Sequence, residues 1–187
     1  MDKPQKRVLI ISYYWPPSGG PGVQRWLKFA KYLPDFDVLP TVFVPENSHY
    51  PQKDKTLESE IPRGLEVIKS KIFEPYRFSN IFSKENTDTL SKGLITEKTN
   101  QSIIQRFLLY VRGNFFIPDA RKFWVKPSVK KISKLLAQYD YHVIITTGPP
   151  HSLHRIGLFL KKKHSDLHWI ADFRDPWTTI GYHKQLK

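Results

Sequence analysis

The 187-residue chain contains no cysteine. That excludes a disulfide scaffold and thiolate chemistry, and it fits a cytoplasmic protein. No apolar run is long enough to span a bilayer. The amino terminus, MDKPQKRVLIISYY, combines basic residues with an apolar run too short for a signal peptide, and no small-residue cleavage site follows. Acidic residues are scarce, with 17 Asp and Glu against 30 Lys and Arg, a net charge of +13. Such a balance favours anionic partners: nucleic acid, anionic lipid or phosphorylated substrates. A solvated lysine-rich surface has the same composition. Hydrophobic residues make up 40% and charged residues 25%, which marks a globular domain with a core rather than a disordered chain.

Two nucleotide-binding fingerprints are also missing. Gly20-Pro21-Gly22 is followed by Val23, Gln24 and Arg25, so GxGxxG is not completed. No Gly-Lys-Ser/Thr follows either, which excludes a Walker A loop. What stands in this region is Arg7 to Leu33, RVLIISYYWPPSGGPGVQRWLKFAKYL. Val8 to Ile11 is a continuous apolar run, as in a parallel strand covered on both faces. Trp15 to Gly22 is built of prolines, glycines and a serine. Val23, Trp26, Leu27, Ala30 and Leu33 then recur at helical spacing. A glycine loop from a strand's carboxyl end into a helix presents backbone N–H groups at the helix's positive end, which suits a phosphate. A tight turn without a ligand is the plain alternative.

Further along, Leu39 to Val44 reads as a second strand with Pro40 at its start, and Glu66 to Ser70 as a third. Phe73 to Asn100 shows little periodicity and reads as a long excursion. Ile103, Ile104, Phe107, Leu108 and Val111 form an apolar helical face closed by Gly113, and this stretch through Ile117 is the most membrane-friendly in the chain. A helix is expected from about Lys126 to Tyr139, a strand over His142 to Thr146, a helix burying Leu153, Ile156, Gly157 and Leu160, and a fifth strand over His168 to Ala171. Strands alternating with helices predict an α/β fold: a Rossmann-like open parallel sheet with helices on both faces. Three loops at carboxyl ends of strands, Trp15–Gly22, Thr147–Ser152 and Asp172–Trp177, should then face one crevice.

Four motifs in order carry a resemblance: YYWPPSGGPGVQRW at Tyr13–Trp26, PDARKFW at Pro118–Trp124, TTGPPHS at Thr146–Ser152 and DFRDPW at Asp172–Trp177. The chain resembles the N-terminal half of a GT-B glycosyltransferase of the bacterial family 4 type. The resemblance implies that residues 1–187 form an acceptor-side domain whose C-terminal donor domain is absent, leaving this polypeptide inactive alone. It implies retaining transfer from a nucleotide-sugar, with no metal and no further cofactor, to a cell-surface glycan or lipid-linked acceptor. The loop glycines Gly19, Gly20 and Gly22 are expected at the leaving diphosphate. Asp119, Arg121 and Trp124 are expected on the acceptor side. His151 matches a histidine near the reacting sugar, where a neutral imidazole could accept a hydrogen bond from a hydroxyl. A helix-start histidine facing water is the alternative. Asp175, beside Arg174, could orient or deprotonate an acceptor hydroxyl, or the pair could brace its loop.

Two patterns are set aside. Glu58 and Glu66 have the spacing of a paired-glutamate element, but Pro62 and Gly64 interrupt it. His151, His154, His164 and His168 fit no zinc spacing. The competing class is a basic Rossmann-like binding module for nucleic acid or an anionic membrane. Against nucleic acid, the lysines are spread over helix exteriors without a recognisable motif. A dinucleotide-dependent oxidoreductase is disfavoured by the missing fingerprint and by the lack of a clear acidic residue closing the second strand. The expected location is the cytoplasm, with peripheral contact at the inner face of the plasma membrane.

Overall fold

The computed structural model describes residues 6–74 and 117–175. Five parallel strands form one sheet: β1 (Lys6–Ser12), β2 (Val38–Glu46), β3 (Glu66–Lys71), β4 (Tyr141–Gly148) and β5 (His168–Phe173), in the order β3-β2-β1-β4-β5. Among the described residues three α-helices lie between the strands: α1 (Pro21–Tyr32), α2 (Lys122–Gln138) and α3 (Ser152–Lys163). The expected α/β Rossmann-like fold is what the chain adopts.

The alternation of β1 decides the layers. Leu9, Ile11 and Tyr13 point to one face, where Trp124, Val125, Val129 and Ile132 of α2 and Leu153, Ile156 and Leu160 of α3 cover them. Val8 and Ile10 point to the other, against Val23, Trp26, Leu27 and Ala30 of α1. Both faces are therefore dry, which is why β1 is apolar without a break. Each fully buried Leu or Ile here contributes roughly 1.5–3 kcal/mol relative to exposure.

Several boundaries differ from the sequence reading, each for a local reason. β2 begins at Val38, so Pro40 lies inside it, opposite Val8. β3 pairs only from Thr41 onward, so β2 has no neighbour on that side at Pro40 and a missing donor is tolerated. β2 also runs on to Glu46 and so does end on an acidic residue. α2 starts at Lys122 rather than near Lys126 and contains Pro127, because the Asp119 carboxylate fixes the chain just ahead of it. Thr147 and Gly148 belong to β4, and Asp172 and Phe173 to β5, where Thr147 pairs with Asp172. The expected excursion to Asn100, the Ile103–Val111 helical face and Trp177 lie outside the described residues.

Candidate functional site

After β1 the chain moves toward β2, and after β4 it moves toward β5. The reversal opens a crevice between the carboxyl ends of β1 and β4, where ligands sit in open parallel sheets. Gly20 is the residue ahead of α1, with φ 107, a conformation that side chains with a Cβ rarely adopt. Pro21 follows at the helix's first position, where its missing N–H costs nothing. No side chain caps the helix, and no acid occupies its first turn. The first turn thus carries no acid of its own, while Pro21 has no N–H and Val23 N and Gln24 N both donate to Gly20 O, at 3.1 and 3.2 Å.

The loop after β5 reaches this end. The Arg174 guanidinium lies where a Cβ on Gly22 would be, so the glycine makes room for it. Asp175 holds Arg174 from the other side, accepting from Nη2 at 3.2 Å and from Nε at 3.3 Å. Gly22, Arg174 and Asp175 are thus one contact chain. Gly19 instead faces Gln52 and Asp54, where a Cβ would come within 3.2 Å of either side chain. Beneath the Arg174 contact, Asp172 accepts from Arg25 Nη2, from Thr147 Oγ1 at 2.8 Å and from Trp26 Nε1 at 3.1 Å. Burial pushes its carboxyl pKa up. The bonds from Arg25, Thr147 and Trp26 outweigh this and hold it below the usual value.

His151 comes from the loop after β4. Its ring stacks on Phe173 at 6.0 Å between centroids, so this loop meets the end of β5. His154, one turn further into α3, is buried and lies 3.9 Å from the same Phe173 ring. Trp169 Nε1 donates to Thr146 Oγ1 at 2.9 Å, and Thr146 Oγ1 lies 2.9 Å from His154 Nδ1. The direction of the Thr146–His154 bond follows the imidazole tautomer, because the threonine oxygen can accept from Trp169 and still either give a proton to Nδ1 or accept one from it. Burial, with the neighbouring His151, pushes the His154 pKa down to about 4. His154 is a neutral ring across the physiological range. Gly148 is where both histidines press: a Cβ there would sit 2.7 Å from His154 Nε2 and 3.3 Å from His151 Nδ1.

The residues expected on the acceptor side are engaged in contacts within the chain. The Asp119 carboxylate is taken up at the start of α3, accepting from Ser152 N, Ser152 Oγ and Arg121 N, each at 2.8 Å. Trp124 is fully buried and stacks on Phe43 at 5.5 Å, so no acceptor can touch it. Arg121 lies over the Tyr13 ring at 5.0 Å and pairs with buried Glu74 at 3.8 Å. Tyr13 donates to Glu74, the His49 carbonyl lies 3.2 Å from the same hydroxyl, and burial drives the phenol pKa far up. Glu66 accepts from Thr41 Oγ1, a sheet contact in keeping with setting Glu58 and Glu66 aside.

Sequence reasoning missed Glu74, Arg25 and His154. Glu74 sits next to a stretch without periodicity, and nothing local marks it. Arg25 falls outside the apolar spacing of α1, and only the register of β5 brings Asp172 to it. His154 had a usable signal: it precedes Gly157 by one helical turn on the buried side of α3. Among the described residues no group of three or more His, Asp or Glu is arranged to hold a metal ion. No helix among them is long and apolar enough to cross a membrane.

No protein-family model matches the chain, and no curated protein matches it. Among solved structures, it is similar to the C-terminal domain (residues 83–215) of the PF1911 hydrogenase from Pyrococcus furiosus. The likeness has 13% identity and a TM-score of 0.47, covering 89% of this chain and 90% of that one. A second structure of that domain (residues 78–226) gives 13% identity and a TM-score of 0.43, covering 91% and 93%. Likeness at this level carries no functional argument.

Proposed function

We propose that the chain is the acceptor-side domain of a retaining GT-B glycosyltransferase of the family 4 type. It would serve transfer of a sugar from a nucleotide-sugar to a cell-surface glycan or a lipid-linked acceptor. The observation that carries this reading is the meeting of Gly22, Arg174 and Asp175 beside the uncapped positive end of α1. In the transfer, the bond from the anomeric carbon to the diphosphate oxygen breaks, a bond to the acceptor oxygen forms on the same face, and the acceptor hydroxyl's proton passes to the departing diphosphate oxygen. Negative charge grows on the diphosphate, and helix N–H groups with a guanidinium stabilise such charge without reorganising. Asp175, held by Arg174, is placed to orient an acceptor hydroxyl. His151, stacked on Phe173, supplies a nitrogen for a sugar hydroxyl. Residues 1–187 would supply the acceptor side and part of the diphosphate contact, so they are expected to bind the nucleotide-sugar weakly by themselves.

The +13 charge supports a companion reading in which the surface adheres to anionic membrane, where lipid-linked acceptors reside. Each basic residue near such a surface contributes on the order of 1 kcal/mol. The test is an NMR titration of the isotope-labelled chain with inorganic pyrophosphate, NAD, a nucleotide-sugar panel and an oligonucleotide. Pyrophosphate should shift Gly20, Gly22 and the Arg174 side chain before any other signals. NAD or oligonucleotide binding that is tighter than pyrophosphate binding and leaves those signals unmoved would overturn the proposal. Co-sedimentation with anionic vesicles at low and high salt reads the membrane companion, which falls if low salt retains nothing.

A further inference from the structure

A second cavity lies on the other side of the glycine loop, between it and the carboxyl end of β2. Its volume is about 660 Å³, inside the roughly 300–1,000 Å³ of small-molecule sites. Trp15, Pro16, Pro17 and Tyr50 give it apolar walls, and Glu46, Lys53 and Lys69 give it charge. Both flanking segments are pinned. Gly19 N donates to Gln52 O at 3.0 Å and Asp54 N to Pro17 O at 2.8 Å, which ties the proline loop to the Lys53 segment. On the opposite wall His49 N donates to Glu74 Oε2 at 2.9 Å, and the Tyr50 ring lies 6.0 Å from Tyr13. The cavity is thus built on buried anchors. Among the described residues, Lys53 and Lys69 pair with no carboxylate and Glu46 pairs with no base.

We infer that this cavity binds an acidic sugar unit, a furanose or pyranose ring bearing a carboxylate or a phosphate. The chemistry follows from the lining. A carboxylate that ends the second strand beside a glycine loop is placed to accept from vicinal hydroxyls of a sugar ring. Two uncompensated lysines suit one anionic group as point charges. Trp15, Tyr50 and the prolines offer flat apolar surface to a ring's C–H face. The inference goes beyond the transfer reading and stands without it, because none of these side chains belongs to the Gly22–Arg174–Asp175 contact chain.

The test titrates the full chain with glucuronic acid, a glucuronate-containing oligosaccharide, glucose 6-phosphate, uridine monophosphate, neutral glucose and inorganic phosphate. At least one acidic sugar should bind tenfold or more tighter than glucose and than phosphate alone, with shifts at Lys53, Lys69 and Tyr50. The oligosaccharide arm against the two phosphorylated arms tells a glycan residue from a free sugar phosphate or nucleotide. Lys53→Met with Lys69→Met should cost tenfold or more in affinity, and Glu46→Gln should weaken the sugar while leaving phosphate binding unchanged. Both lysines are exposed, so the double variant should keep its melting temperature; a circular dichroism melt checks this. Equal binding of glucose and its acidic derivatives overturns the inference. So does binding of phosphate as tight as that of any sugar, or an unaltered affinity in the folded double variant.

Discussion

Two carboxylates near the carboxyl edge of the sheet invite comparison. Glu74 belongs to the α2 face and is 6% exposed, with Tyr13, Arg121 and the His49 backbone around it. Asp172 belongs to the α1 face; its side chain is 21% exposed, and its partner Arg25 is 39% exposed. Glu74 joins segments that follow different strands, and Asp172 joins the ends of β4 and β5 to α1. Glu74 is closed off from solvent and can only brace. Asp172 lies directly before Phe173, Arg174 and Asp175, so any ligand that moves those residues is felt at its ion pair. Burial separates a framework charge from one a ligand can address, though both make similar bonds.

The largest expected effect tests the buried member. Glu74→Ala would leave Arg121 mostly buried beside Tyr13 without its counter-charge. Breaking a buried pair in this way typically costs about 3–5 kcal/mol. Urea unfolding should show this as a large fall in midpoint, with Glu74→Gln falling less because it can still accept from Tyr13. A Glu74→Ala midpoint close to wild type would remove the distinction drawn between the two carboxylates.

The next effect depends on pH and comes from His154. Its folded pKa of about 4 lies below the ordinary 6.5, so the unfolded chain binds more protons between those values. Stability from this group is fully present above pH 6.5 and is lost as pH falls toward 4. The loss is on the order of 3 kcal/mol at most. Asp172 behaves in sequence with it: its pKa is depressed below 3.8, so its contribution is lost only under still more acid conditions. Unfolding free energy measured from pH 7 to pH 3 should therefore fall first for His154 and then for Asp172. His154→Leu should flatten the first fall alone, and an unchanged profile in that variant would show that the pH dependence lies elsewhere.

Asp172→Asn sharpens the comparison from the other side. The substitution weakens the bonds from Arg25, Thr147 and Trp26, and bonds to charged groups are worth about 1.5–3 kcal/mol before solvent exposure of Arg25 reduces them. A loss toward or below the lower figure is expected, together with weaker pyrophosphate binding at Arg174. A loss as large as that of Glu74→Ala would make the two clusters equivalent.

The sheet was legible because its signals are local. Val8 to Ile11 is apolar without alternation, and only a doubly covered strand explains that. The spacing of Val23, Trp26, Leu27 and Ala30 names the buried face of α1 outright. The crevice was legible at the level of loops, since parallel strands deliver their carboxyl ends to one edge. Side-chain duties were not legible. Asp119 looked like a ligand-facing acid, yet its acceptors are spent on Ser152, 33 residues away. Trp124 was expected on the acceptor side by resemblance, and it is buried with Phe43 from β2 stacked on its ring. Those partnerships depend on which strands become neighbours, and sequence spacing carries no such information.

A last comparison sets Gly20, just ahead of α1, against Gly22 in its first turn, where the stability effect should be smallest. Gly20 has φ 107, so Gly20→Ala should cost about 1–3 kcal/mol through backbone strain alone. Nothing crowds a Cβ at Gly20, since the nearest side-chain atom is Gln52 Oε1 at 4.0 Å. Gly22 is the reverse. Its φ is not in the left-handed region, and a Cβ there meets only the far end of the Arg174 side chain, which can swing away. Alanine in a helix is favoured over glycine by up to about 1 kcal/mol, so Gly22→Ala should leave thermal stability unchanged or slightly raised. What it should lose is the seat of Arg174, and with it part of the affinity for pyrophosphate. Measuring the melting temperature and the pyrophosphate titration on both variants sets strain against site. If Gly22→Ala keeps full pyrophosphate affinity, Arg174 is a bystander at the crevice, and the charge stabilisation assigned to it belongs to the helix end alone.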